Sequence, residues 1–126
     1  MTSLAPTSQL RAFVPAKDFA ASRAFYQDLG ATEQWASDDM VLFRLGDSLF
    51  YLQDAYVKQW AENTMLFLMV PDLDLCWKEL QALDLTNRYK GVRWKEPTDY
   101  PWGLREIHLI DPAGVLWHFA TTSVSS

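Results

Sequence analysis

Cysteine is almost absent: Cys76 stands alone in 126 residues. That excludes an internal disulfide and any metal cluster built on several thiolates. Cys76 falls at an apolar position of a helical pattern and is read as buried and inert. Histidine is nearly as scarce, with two copies, so imidazole chemistry has only His108 and His118 to draw on. Lys and Arg number 11 against 16 Asp and Glu, a formal net charge of -5. This balance argues against a nucleic-acid partner, which needs clustered basic residues, and it suits a cationic ligand. No apolar run is long enough to cross a bilayer, and no basic segment followed by an apolar one opens the chain. A cytoplasmic protein with no membrane partner is the expectation. GxSxG, HExxH and P-loop sequences are missing, and no Cys/His pairing activates Cys76.

Aromatic residues are abundant by contrast. They make up 14% of the chain and include six Trp. Tryptophan fills cores, and it also grips flat or cationic ligands. The length suits one domain over residues 1–126, long enough to bury a core.

Periodicity divides the chain into two similar runs. Residues 9–14 alternate as a half-buried strand ended by Pro15. Asp18 is placed to cap a helix over Phe19–Leu29, with Gly30 as its stop. Met40–Leu45 and Ser48–Gln53 read as strands joined by a Gly-first hairpin at Gly46-Asp47, and residues 55–63 as an indistinct connector. The order then recurs. Met65–Val70 reads as a strand, Asp72 caps a helix, and Leu73, Cys76, Trp77, Leu80 and Leu83 form its apolar stripe. Residues 87–94 read as a weak strand, and Leu104–Ile110 with Val115–Ala120 as a final hairpin. Both chain ends, residues 1–8 and the Ser/Thr-rich tail, are expected to be loose. A shift of 54 carries Asp18 to Asp72 and Phe19 to Leu73. The expected fold is therefore α+β: two tandem βαβββ units, over about residues 9–54 and 63–121, whose curved sheets surround a cleft with helices on the outer faces.

The alternation also assigns faces. Asp111-Pro112-Ala113-Gly114 reads as a type I turn with a bulge at Gly114. That register sets His108 across from His118, Ile110 across from Leu116 and Glu106 across from Ala120. Ile107, Leu109, Trp117 and Phe119 share the more apolar face and belong under a helix. Glu106, His108 and His118 share the other. In the first strands, Leu10, Ala12 and Val14 point to the helix side, as do Leu66, Leu68 and Val70. Arg11 and Phe13, with Met65, Phe67 and Met69, are left for the cleft, a lining typical of a small-molecule site.

The run RAFVPAKDFAASRAFYQDLG (residues 11–30) and the block PWGLREIHLIDPAGVLWHF (residues 101–119) resemble the glyoxalase / bleomycin resistance / extradiol dioxygenase superfamily, also called vicinal oxygen chelate. The second block, with Glu62-Asn63-Thr64-Met65, looks most like bleomycin resistance proteins. The resemblance implies that metal-dependent relatives hold their ion at four places, which fall here on Arg11, on or near Gln53, on Met65 and on His118. A guanidinium has no lone pair to offer, and a thioether binds hard divalent ions poorly. No metal and no cofactor is expected on that count. Glu106, His108 and His118 form an alternative set of two imidazoles and a carboxylate, which the charge of Arg11 in the same cleft would oppose.

Bleomycin resistance proteins, as the resemblance implies, sequester a flat cationic antibiotic at a dimer interface without catalysis. By motif position Trp102 matches a stacking tryptophan of that branch, Trp35 a stacking phenylalanine, and Met40 a second one. The expected function is thus a metal-free homodimer binding a planar aromatic ligand, one that a cationic group would suit. Trp35, Met40, Trp102, Arg11, Phe13, Met65, Phe67, Glu106, His108 and His118 would line its site, and no residue would be catalytic. The alternative is a lyase- or isomerase-type enzyme of the same superfamily, with a displaced metal or with acid–base work by His118 and Glu106.

Overall fold

A computed structural model describes Leu4 and residues 8–123. Its elements run β1 (Arg11–Pro15), α1 (Phe19–Leu29), β2 (Thr32–Ala36), β3 (Met40–Leu45), β4 (Ser48–Gln53), the short α2 (Lys58–Glu62), β5 (Met65–Met69), α3 (Leu73–Leu83), the single turn α4 (Leu85–Arg88), β6 (Arg93–Asp99), β7 (Leu104–Ile110) and β8 (Leu116–Thr122). Each half forms its own four-stranded sheet, ordered β1-β4-β3-β2 and β5-β8-β7-β6. The β1–β4 and β5–β8 pairs are parallel and the rest antiparallel. The duplicated α+β fold of two βαβββ units is what the patterning anticipates.

Local chemistry sets the helix limits. Asp18 accepts the Ala21 N–H at 3.1 Å and Asp72 accepts the Leu75 N–H at 3.0 Å, each satisfying a first-turn donor that has no partner within the helix. At the far ends, Gly30 and Asp84 both adopt left-handed backbone, with φ of 110° and 54°. The second stop is not a glycine, but aspartate is one of the residues that tolerates this region.

The core lies on one face of each sheet, under α1 and α3. Val14, Val41, Phe43, Phe50 and Leu52 supply it from the first sheet, and Ile107, Leu109, Trp117 and Phe119 from the second. A buried polar chain joins the halves. The Tyr26 hydroxyl on α1 donates to Asp111 Oδ2 at 2.5 Å, and Trp117 Nε1–H donates to the Tyr26 oxygen at 2.9 Å. Asp111 Oδ1 accepts the N–H groups of Ala113, Gly114 and Val115 at 2.8, 2.9 and 2.9 Å. Burial pushes the Tyr26 phenol well above its ordinary range, and the Asp111 carboxylate pushes it further. At the outer end of α1, Asp28 Oδ2 accepts from Arg88 Nη2 at 2.7 Å and from the Tyr89 hydroxyl.

Several readings need correction. Leu10 is 92% exposed, because the ladder starts one residue later, at Arg11 opposite Leu49. The strand proposed over residues 87–94 is instead the end of α4 followed by a turn, and β6 begins at Arg93. Strand β2 was not located from sequence: it mixes charged and apolar residues, and its register shifts between Glu33 and Trp35. The connector over residues 55–63 contains α2. In the tail, Thr121 and Thr122 extend β8, while residues 124–126 lie outside the described residues, as do most of residues 1–7. Among the described residues no helix is long and apolar enough to cross a membrane.

Two stability predictions follow from the joints between the halves. Tyr26→Phe strands a buried carboxylate oxygen and an indole N–H, and should lower the unfolding free energy by about 1–3 kcal/mol in a urea titration. Asp111→Ala also removes the acceptor for three turn N–H groups and should cost more than Tyr26→Phe. Burial, reinforced by the Asp28 hydrogen bond and charge, raises the Tyr89 phenol to about 12 from its ordinary 10.0. A raised folded-state value means that its contribution is complete below pH 10 and lost as pH climbs through 12. Difference absorbance between wild type and Tyr89→Phe should therefore show one phenol titrating near pH 12 in the folded protein.

Candidate functional site

Each sheet buries one face and leaves the other uncovered, and the open faces carry most of the residues singled out from sequence. On the first sheet, the ladder aligns Trp35 with Leu42, Leu42 with Tyr51, and Tyr51 with Phe13, a row that crosses all four strands. Phe13 stacks on Tyr51 with centroids 5.0 Å apart. Arg11 stands at the same edge, its guanidinium donating to the Tyr51 oxygen at 2.7 Å and to Gln9 Oε1 at 2.8 Å. Met40 begins β3 opposite Gln53.

The corresponding row of the second sheet runs Phe67, His118, His108 and Lys95. The shift of 54 that relates the halves carries Phe13 to Phe67, so the same backbone presents phenylalanine at both places and imidazoles where the first sheet has Tyr51 and Leu42. His108 and His118 pair directly across β7 and β8, as the turn register requires, and their rings meet edge to face at 4.5 Å.

Glu106 organises this second face. It is two residues from His108 on the same side of β7, and its side chain is nearly buried. Its Oε1 lies 2.8 Å from His118 Nδ1 and 3.0 Å from His108 Nε2. Its Oε2 accepts the indole N–H of Trp102 at 2.8 Å. Burial alone would raise this carboxyl; hydrogen bonds from His118, Trp102 and His108 outweigh that and hold it below its ordinary value. The ligand atoms of Glu106, His108 and His118 all lie within 4.8 Å of one another, a grouping able to hold a metal ion.

An aromatic stack extends from the cluster. Tyr100 lies against His108 at 5.5 Å and 15°, and against Trp102 at 4.5 Å and 10°. Trp102 nevertheless remains 61% exposed, so a ring surface is free beyond the Tyr100 contact. Met65, Leu66, Phe67, Trp102, Glu106 and His118 line a hollow of about 420 Å³ beside it. A larger hollow of about 770 Å³ lies elsewhere, between α1 and β2, where Arg23 and Glu33 satisfy each other at 2.6 Å. None of the ten expected site residues lines it, though Asp38 does.

The site residues thus divide in two. Met65, Phe67, Trp102, Glu106, His108 and His118 come together on the second sheet. Arg11, Phe13, Trp35 and Met40 come together on the first, and within one chain no ring contact joins Trp35 to Trp102. Tyr51 and Tyr100 were missed. The alternation of β4 places Tyr51 on the face of Phe13, and Tyr100 stands two residues before Trp102, so both carried a signal. Cys76 is half-buried rather than buried, and desolvation, aided by the charge of Glu79, pushes its thiol up, away from a reactive thiolate.

Solved structures share this architecture. A bleomycin-binding protein complexed with bleomycin superposes with a TM-score of 0.79 at 22% identity, over 93% of this chain and 100% of that one. The bleomycin-binding protein of Streptomyces verticillus, complexed with copper(II)-bleomycin, gives 0.76 at 24% identity, over 94% and 98%. Lactoylglutathione lyase from Agrobacterium tumefaciens gives 0.67 at 19% identity, over 91% and 93%. No curated protein matches the sequence. The model of the Glyoxalase/Bleomycin resistance protein/Dioxygenase superfamily matches residues 8–119. With nearly its whole length inside that match and both βαβββ halves in place, the chain belongs to the glyoxalase/bleomycin resistance protein/dioxygenase superfamily.

Proposed function

We propose that this protein sequesters a planar aromatic ligand in a cleft formed where two copies meet, walled by the open sheet faces. One observation carries the reading: each sheet is covered on only one face, and its open face still carries large exposed apolar side chains. Phe13, Trp35, Met65, Phe67, Met69 and Trp102 are all about half exposed or more. Contiguous apolar surface of this kind marks a binding or association face. Its make-up suits a flat ligand, because Trp102 offers a ring held in orientation by Glu106, and Trp35, Phe13 and Phe67 supply further aromatic faces. Met40 and Met65 add adaptable contacts. Arg11, His108 and His118 supply polar contacts, and the net charge of -5 favours a ligand with cationic character. The fold of bleomycin-binding proteins points the same way. In this reading the ligand is held by stacking and burial, with no ion gripped by Arg11, Gln53, Met65 and His118 acting as a four-ligand set and no catalytic step. A cytoplasmic setting accompanies it.

Tryptophan emission tests the proposal. Bleomycin-like, mitomycin-like and other planar antibiotics titrated into the protein should include at least one that quenches saturably. Trp102→Ala should weaken that ligand about threefold to tenfold, the worth of one aromatic stack. Sedimentation should give a dimer. Emission unchanged across the whole panel sinks the reading.

A further inference from the structure

We propose that Glu106, His108 and His118 bind a divalent transition-metal ion of the zinc or cobalt type on the open face of the second sheet. Two imidazoles and a carboxylate are the ligand types such ions take. What distinguishes the cluster is how its three side chains are aimed. A carboxylate that merely neutralised two imidazoles could offer one oxygen to each. Here both imidazole nitrogens approach the same oxygen, Glu106 Oε1, at 2.8 and 3.0 Å, and the three ligand atoms converge within 4.8 Å. Ligand atoms around a tetrahedral zinc, with bonds of about 2.0–2.1 Å, stand about 3.3–3.4 Å apart. To admit the ion, the two carboxylate–imidazole separations would open by about 0.3–0.6 Å, and the imidazole nitrogens, at most 4.8 Å apart, would close on one another.

The surroundings resemble those of a built site. Trp102 donates to Glu106 Oε2, leaving Oε1 turned toward the imidazoles, as an outer partner does for a metal-bound carboxylate. Tyr100 packs flat against the His108 ring. The backbone register fixes His108 opposite His118. Glu106 is nearly buried while the imidazoles are partly open, which leaves an entry path and free coordination positions toward the adjacent hollow. The charge objection raised from sequence does not hold within one chain. Arg11 stands on the other sheet with its guanidinium engaged by Tyr51 and Gln9. Lys95 pairs with His108 in the ladder, but its ammonium lies near the Tyr100 hydroxyl at 3.4 Å and over the Tyr100 ring.

Three of the four places where the resemblance puts a relative's ligands, Arg11, Gln53 and Met65, take no part; His118 is shared, and β7 supplies the other two ligands. Metal entry needs no net loss of protons from neutral imidazoles. In the neutral tautomer with the proton facing Glu106, each ring would carry that proton on its far nitrogen once the ion is bound, Nδ1 of His108 and Nε2 of His118, leaving the nitrogen nearer Glu106 as the ligand.

The experiment uses untagged full-length protein, freed of metal and titrated with zinc or cobalt alone, so its outcome is separate from that of the organic-ligand titration. Uptake of one zinc per chain is expected, with His108→Ala and His118→Ala each weakening it by about tenfold or more. Because these are the only two histidines in the chain, their imidazole 15N resonances need little assignment, and in the wild type both should switch tautomer as zinc binds. That readout stands even where a variant folds poorly. Saturation absent below about 0.1 mM zinc, or imidazole resonances that do not change during uptake, overturns the proposal.

Discussion

The carboxylate of Asp111 holds the two halves in register. One of its oxygens closes the β7–β8 turn through three backbone N–H groups, and the other receives the hydroxyl of Tyr26 from the first half. Trp117 completes the chain from the sheet beneath. A buried carboxylate is costly unless its lone pairs are filled, and here four donors fill them. The turn sets the pairing of β7 with β8, and so places His108 against His118 and brings Glu106 within reach of both. The open face of the second sheet takes its geometry from a contact on the buried one.

The two sheets show how one backbone plan can serve two surfaces. Equivalent rows cross them: Trp35, Leu42, Tyr51 and Phe13 on the first, Lys95, His108, His118 and Phe67 on the second. The buried faces remain largely apolar, because either half must pack against a helix to fold. The open faces carry no such obligation. One became an aromatic platform, and the other gathered Glu106, His108, His118 and Lys95.

What could be read from sequence followed the strength of local signals. The two capped helices came out at their observed limits, since each has an Asp cap and a regular stripe. The DPAG turn fixed its hairpin register outright, because a three-residue loop with a bulge permits little else. Strand β2 was lost because a bulge interrupts its alternation, and β6 was misplaced because α4 and a turn occupy the residues assigned to it. The faces of Arg11, Phe13, Met65, Phe67, Glu106, His108 and His118 were legible from period-two alternation. The shared oxygen at Glu106 was not, since alternation says which side a residue takes but not where its side-chain atoms converge. Nor was the Trp102–Glu106 bond, which depends on the fold-back of a loop containing Gly103 at a φ of 87°.

The Asp111 joint combines two very different loop closures. The hydrogen bonds to Ala113, Gly114 and Val115 span at most four residues, whereas the one from Tyr26 spans 85. Closing a short loop costs far less chain entropy than closing a long one, so the turn can form while the rest of the chain is still unstructured. In a chain emerging from the ribosome, Tyr26 can meet Asp111 only after a further 85 residues have been made.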